Sequence, residues 1–467
     1  MQISSSFDLL SHTDRTLARH LQGCNQVSEL ALQLKYVSDS FYPKPQLEQI
    51  RKLLVYFHDF GKGTDFFQYK IIEAAKKEGT PEFTKANQAY LDFYAQTKAA
   101  EIGELLHQND RLSNHAKLGA YLVQGSEVLE DPLVAAIVLR VIRRHHGYLT
   151  NFAFSSEQRP QIGLDENYDI PEMELQLQHF NLDLYQKILN AEEVAFHIDK
   201  WPEIRNGYKK KLKVLKLELQ LNKEKDLRYF FLQHFLFSLL LAADKGDMML
   251  GLSADKSYYI KENRLLPLQL VDTYKKALFI GKKPKPIDVL REDAYQEIAH
   301  NVAQHAEKSF FSLTLPTGLG KTFAAYNAAI LLQNKFPTQY QNCKPRIIYC
   351  LPFTSIIDQN ALILQEMIQS YKGDDAAKLD KSWLAIHHHL STYNDRYDKQ
   401  ELKNDEGEYL TAGWEQEIIV TTFVQLLESI FTNKNRALRK FHNMANAIFV
   451  LDEVQSIPPK YFEAVEV

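Results

Sequence analysis

Along the first 265 or so residues, apolar positions recur at spacings of three and four, as in LEQIRKLLVYF (47–57) and LVAAIVLRVI (133–142). That period predicts amphipathic helices, and strand-like alternation is scarce there. The polar stretch from Asp65 to about Asp110 reads as solvated helices between core helices, and IRNGYKKKLKVLKLELQLNKEKD as a charged helix face. FFLQHFLFSLLLAAD (230–244) is the most apolar run; Gln233 and His234 interrupt it, it is too short to span a bilayer, and a buried helix ending at Asp244 is expected. Near LFIGKKPKPIDVL the pattern changes, with Gly281, Pro284 and Pro286 marking a basic linker. Beyond it SFFSLTL, RIIYCLPF, EIIVTTF and NAIFVLDE alternate with helical patterns, which predicts βαβ units and a parallel sheet. The expected organisation is an all-α domain over 1–265, a linker over 266–286 and an α/β domain over 287–467.

Composition adds little to this picture except by exclusion. At 467 residues two or three domains are expected, and 45% hydrophobic with 24% charged residues is globular usage. A net charge of −4 supplies no global field for nucleic acid, so any such binding must be local. Three cysteines without CxxC spacing fit a reducing cytoplasm and argue against a thiolate zinc site. The amino terminus lacks the basic and apolar regions of a signal peptide.

The sharpest motif is LTLPTGLGKTFAAYNAAI, placed between a predicted strand and a predicted helix. Thr317, Gly318 and Gly320 would let backbone N–H groups approach phosphate, Lys321 would reach the β/γ-phosphates, and Thr322 would hold Mg²⁺. Leu315 stands where the strict phosphate-loop pattern has glycine; the Pro-Thr-Gly form is that of helicase-like motors. AIFVLDEVQ reads as a buried strand ending in Asp452, to hold Mg²⁺ through water, and Glu453, to position and deprotonate the attacking water. Arg291 and Gln296 stand where such motors grip adenine, and the Thr- and Ser-bearing strand edges in LPFTSIIDQNA and VTTFVQLLESI suit a nucleic-acid backbone.

The helical half concentrates histidine at core-facing positions. VYFHDFGKG delivers His58 and Asp59 together; His145 continues the row Leu133, Ile137, Val141, and His146 continues Val134, Val138, Ile142, with Arg140, Arg143 and Arg144 mostly on the other side. His115 is in register with Leu118 and Leu122, His20 lies among Leu17, Leu21 and Cys24, and Asp244 closes the apolar run. Imidazoles and carboxylates aimed into a core need partners, and divalent cations with a bridging aspartate, Asp59, supply them. Lys62, one turn after His58, would steady a phosphate or developing negative charge. His12 is the alternative to His20, and the HHH at 387–389 reads as loop composition.

HDFGKG, NHAKLGA, HHGYL and LLLAADKGD, followed by LPTGLGKT and LDEVQ, resemble the CRISPR-associated HD nuclease–helicases of type I interference systems. The resemblance implies an HD phosphohydrolase-like domain followed by the first RecA-like (P-loop) domain of a superfamily 2 DNA helicase. It implies cleavage of single-stranded DNA with two divalent transition metal ions (manganese, nickel, cobalt or iron), Mg-ATP in the motor, and recruitment by an RNA-guided surveillance complex in the cytoplasm. The metal ligands would be His20, His58, Asp59, His115, His145, His146 and Asp244; the catalytic residues would be Asp59, Lys62 and Glu453. The chain stops at Val467, before a second RecA-like domain with its arginine finger. An incomplete helicase with little ATP turnover is therefore expected, either truncated or completed by a separate chain. Two rival readings are an HD phosphohydrolase of free nucleotides with a regulatory P-loop domain, and a docking module on a DNA-binding motor, which would bind no transition metal.

Overall fold

The computed structural model describes residues 8–149, 169–194, 198–221, 227–250, 265–339, 343, 345–373, 383–387, 412–457 and 459–461. The chain forms two compact units. The first comprises 1–29, 37–252 and 433–435; the second takes 30–36, 253–432 and 436–467.

The first unit is helical apart from a short antiparallel pair, β1 (Leu10–His12) and β2 (Arg15–Thr16). Its centre is formed by helices Lys44–His58, Ala116–Leu122, Pro132–Arg144 and Leu227–Leu250, which pack on one another. Pro132–Arg144 begins where Asp131 Oδ1 accepts the Leu133 and Val134 N–H groups at 2.8 and 3.3 Å, with proline in the first turn. Its residues Val134 to Ile142 are all buried, so Arg140 departs from the outer side expected of it, while Arg143 and Arg144 are half-buried. The apolar run belongs to a 24-residue helix, Leu227–Leu250, so Asp244 lies inside a helix rather than at its end. The polarity break at Asp244 marks a change of exposure at Lys245 only; Asp247 beyond it is again buried. No described helix is long and apolar enough to cross a membrane.

The second unit holds four parallel strands: β3 (Ile347–Leu351), β4 (Leu384–His387), β5 (Ile418–Thr422) and β6 (Ile448–Leu451), in the order β4-β5-β3-β6. β3 and β5 are buried at every position, as central parallel strands are, and helices Lys321–Gln339 and Thr354–Lys372 cover them through Tyr326, Ile330, Leu364 and Met367. Two strand expectations differ. SFFSLTL makes no ladder, because Phe310 and Phe311 are 92% and 43% exposed and only Leu315 reaches the core. NAIFVL forms β6, but as a half-exposed strand at the end of the described sheet rather than a buried one. The interval 266–286 contains helix Leu270–Phe279, whose Leu270, Val271 and Tyr274 enter the core of the second unit. Of the histidine run, His387 closes β4 and accepts the Trp414 indole N–H at 3.1 Å; His388 and His389 lie outside the described residues.

Candidate metal centre and nucleotide site

Helix Lys44–His58 ends on the histidine that opens HDFGKG, and Asp59 is its C-cap. His115 occupies the N-cap of Ala116–Leu122, and His145 the C-cap of Pro132–Arg144. A backbone hydrogen bond from Gly61 N–H to His115 O (3.1 Å) ties the first two segments together. The structure thereby gathers His20, His58, His115, His145 and Asp244 around a buried Asp59 carboxylate. Asp59 Oδ2 lies 3.1 Å from His20 Nε2 and 3.4 Å from His58 Nε2. Asp59 Oδ1 lies 3.3 Å from His115 Nε2 and 3.7 Å from His145 Nε2. Two groups result, one of Asp59, His115, His145 and His146 and one of His20, Cys24 and His58. The ligand-type atoms within each lie within 4.8 Å of one another, with Asp59 between the groups. Asp244 Oδ1 is 3.6 Å from His20 Nε2.

Ring orientation decides what this geometry can do. His58 Nδ1 faces the Val55 carbonyl at 2.7 Å, and His145 Nδ1 faces the Ile142 carbonyl at 2.6 Å. A carbonyl only accepts, so each Nδ1 carries the hydrogen and each Nε2 presents a lone pair. His58 Nε2, His145 Nε2 and both Asp59 oxygens are buried without a hydrogen-bond partner. Lone pairs facing carboxylate oxygens in a dry interior are costly unless a cation lies among them. The donor set therefore fits divalent ions that take imidazole and carboxylate ligands.

Lys62 supplies one local positive charge. Its Nζ is 2.7 Å from Asp59 Oδ2, at ion-pair distance but off the hydrogen-bonding direction. Burial would raise the Asp59 carboxyl; His58 and Lys62 outweigh it and hold the group well below its usual range. Asp244 is likewise held low, burial being outweighed by the neighbouring imidazoles of His58, His20 and His145. Burial pushes His58 down to about 4 and His146 to about 4, and holds His115 well below its ordinary value. His20 moves the other way: burial opposes its protonation, but Cys24, Asp247 and Asp59 raise it.

One expectation needs adjustment. His146 does not project into the core: the helix has ended two residues earlier, and the side chain is exposed, with its Nε2 2.8 Å from His115 Nε2. Between the two amino-terminal candidates, His20 faces Asp59, whereas His12 pairs with the Ser11 hydroxyl at 2.6 Å and joins neither ligand group. One buried acid was missed, Asp247, which contacts His20 from the side away from Asp59. Its signal in the sequence is the three-residue spacing from Asp244 on one helix, which puts both carboxylates on the same side.

In the second unit, residues 316–320 turn into helix Lys321–Gln339 with Gly318 and Gly320 at φ +85° and +79°, a backbone region open to glycine. Thr317 is exposed beside them, and Thr322 lies in the first turn of the helix. Arg291 donates from Nε to the Gly318 carbonyl at 2.8 Å and so holds the loop's backbone; Gln296 instead donates to Glu292 at 2.7 Å. Lys321 Nζ lies 3.2 Å from Glu453 Oε1. Glu453 has left-handed backbone (φ +57°), which is strained for a non-glycine residue, and Gln455 and Lys321 lower its carboxyl pKa. Asp452 accepts the Tyr349 hydroxyl at 2.9 Å.

Comparison with known proteins agrees with this division. Residues 11–215 match the family described as "Cas3, HD domain", and residues 293–465 match "DEAD/DEAH box helicase". The CRISPR-associated nuclease/helicase Cas3 of Haloferax volcanii is 34% identical over 161 residues, 33% of this chain and 16% of that protein. The crystal structure of T. fusca Cas3 matches 97% of this chain and 47% of that one, with a TM-score of 0.50 and 16% identity, a likeness of fold. This chain thus spans about half the length of that solved relative and matches a smaller share of the curated one. In domain content and order the chain is Cas3-like: a match to the Cas3 HD domain precedes a match to the DEAD/DEAH box helicase domain.

Proposed function

We propose that the helical unit is a metal-dependent phosphodiesterase that cleaves single-stranded DNA in CRISPR antiviral defence, and that the second unit binds Mg-ATP as part of a DNA motor. The observation that carries the nuclease reading is the convergence of His58 Nε2, His145 Nε2 and both Asp59 oxygens, buried and without a hydrogen-bond partner. His58 and His20 would hold one divalent transition metal ion and His115, His145 and His146 the other, with Asp59 between them and Asp244 beside His20. Bound there, the ions would supply acidified water and charge neutralisation at the phosphate. The chain's own residues would set the geometry. Val55 and Ile142 carbonyls fix two imidazoles, Asp59 is kept ionised, and Lys62 carries a positive charge 2.7 Å from Asp59 that suits a phosphate oxygen. In the motor, Gly318, Gly320, Lys321 and Thr322 would cradle the phosphates, with Arg291 steadying the loop, Asp452 on the magnesium side and Glu453 facing the attacking water. An RNA-guided surveillance complex would deliver the DNA, in the cytoplasm.

The test is circular single-stranded DNA with metal-stripped protein, no ATP, and Mn²⁺, Ni²⁺, Co²⁺, Zn²⁺ or Mg²⁺ added in turn. Cleavage that requires a transition metal and disappears in Asp59→Ala is expected. Turnover of free nucleotides with intact DNA would replace this reading by a nucleotide phosphohydrolase.

A further inference from the structure

The geometry points to Asp247 as a positioning residue for His20: a buried Arg15–Asp247 pair that fixes the His20 ring so that Nε2 faces Asp59. This inference rests on the metal reading above and concerns how one ligand is held.

Asp247 is 2% exposed and Arg15 9%. Arg15 Nη1 donates to Asp247 Oδ2 at 2.5 Å and to the Asp247 carbonyl at 2.7 Å, so side chain and backbone are gripped by one guanidinium nitrogen. The same Oδ2 lies 2.8 Å from His20 Nδ1. A carboxylate offers only acceptors, so Nδ1 carries a hydrogen toward Asp247, and this orientation aims Nε2 at Asp59 and Asp244. His58 and His145 achieve the same orientation with backbone carbonyls; His20, inside helix Leu17–Gln33, has its own turn's carbonyls committed to the helix and takes a carboxylate instead. A carboxylate partner also makes the imidazole a stronger donor to a metal than a carbonyl does.

The space for this carboxylate comes from one residue. A Cβ built at Gly23 would fall 1.7 Å from Asp247 Oδ1 and 2.5 Å from its Cγ. Gly23 thus leaves the groove in the helix surface that Asp247 fills from the Leu227–Leu250 helix.

The test measures Mn²⁺ affinity of metal-stripped full chain by competition with a chromogenic chelator, in wild type, Asp247→Asn, Gly23→Ala, His20→Ala and His20→Ala/Asp247→Asn. Loss of a carboxylate partner behind a ligating histidine typically costs about 10–100-fold in metal affinity, and that loss is expected for Asp247→Asn, with a loss in the same direction for Gly23→Ala. In the His20→Ala background the Asp247 change should cost no more than about twofold, because the residue acts through the ring. Circular dichroism checks folding; if Asp247→Asn does not fold, Arg15→Gln, which leaves the carboxylate in place but unanchored, must weaken Mn²⁺ binding in the His20 background and not without it. Unchanged affinity in the folded single variants, or equal losses with and without His20, overturns the inference. A wild-type chain that binds no Mn²⁺ overturns the metal reading itself and this inference with it.

Discussion

One close backbone approach in the helical core carries a sharp consequence for the metal centre. Gly119 sits in Ala116–Leu122, and a Cβ there would lie 1.9 Å from the Phe57 carbonyl oxygen and 2.8 Å from Phe60 Cβ. Both neighbours flank His58 and Asp59, and neither can swing aside, one being backbone and the other the root of a buried side chain. Gly119→Ala must therefore open the two segments by about 1.5 Å, from 1.9 Å to the 3.4 Å at which ordinary contact begins. Ligand distances in metal sites tolerate about 0.2 Å. His115, at the N-cap of the displaced helix, would leave Asp59 by several times that tolerance. Overpacking of this kind costs about 1–3 kcal/mol, which in a unit of this size lowers Tm by about 2–12 °C. The control is Gly207→Ala in helix Trp201–Leu221, where nothing lies within 4 Å of the added Cβ. There the loss of unfolded-chain freedom should stabilise by about 0.4–1 kcal/mol. Calorimetry and Mn²⁺ titration of both variants make the comparison. If Gly119→Ala melts and binds metal as Gly207→Ala does, close helix approach is not what places His115.

Removing the Asp131 cap should cost about 1 kcal/mol in urea unfolding of Asp131→Ala, because two buried-end N–H groups lose their acceptor. Mn²⁺ at about a hundred times its dissociation constant should stabilise the metal-stripped chain by about 2.7 kcal/mol, and Asp59→Ala should abolish that rise in melting temperature. Lys440 is 3% exposed, and burial, reinforced by Arg439 and Arg436, pushes its ammonium down to about 7. Unfolding returns it to its ordinary value near 10.5, so between these limits the unfolded chain holds the extra proton and stability rises with pH. The contribution is up to about 1.4 kcal/mol per pH unit. Lys440→Met should flatten the rise between pH 7 and 9 seen in wild-type melting; an unaltered slope would place the titration elsewhere.

Helical periodicity was enough to find His20 and His145, because each continues a core-facing set of apolar positions, whereas His58 was read from its pairing with Asp59 at the end of an apolar helix. It failed where the row outran the helix. His146 is a continuation of Val134, Val138 and Ile142 only if the helix continues, and it stops at Arg144. Asp244 was found for its apolar neighbours but misplaced at a terminus, since a polarity break does not end a helix whose backbone ladder is intact. The SFFSLTL segment shows the reverse error: apolar content predicted a ladder that Phe310 and Phe311, both exposed, do not join. For Asp247 the local pattern offers only its three-residue spacing from Asp244; the His20 it contacts lies 227 residues away in sequence.

Neither periodicity nor motif spacing reveals why histidines stand at these particular positions. His58 is the last residue of its helix and His145 caps another, and each donates Nδ1–H to a carbonyl three residues back. The last four carbonyls of a helix have no intrahelical partner, so Val55 and Ile142 are acceptors that the ends of these helices leave free. A histidine at that position satisfies an orphan carbonyl and, by the same bond, turns a bare Nε2 away from the helix. Two helices therefore end at the site with their negative dipole ends toward it, adding to the Asp59 and Asp244 charges. Such a field disfavours further protonation-free anions and favours cations, whereas Lys62 provides the one ammonium within reach of Asp59 among the described residues. A histidine moved one turn back into either helix would keep its core-facing row but find its carbonyl already bonded. It would lose both the fixed ring and the aimed nitrogen.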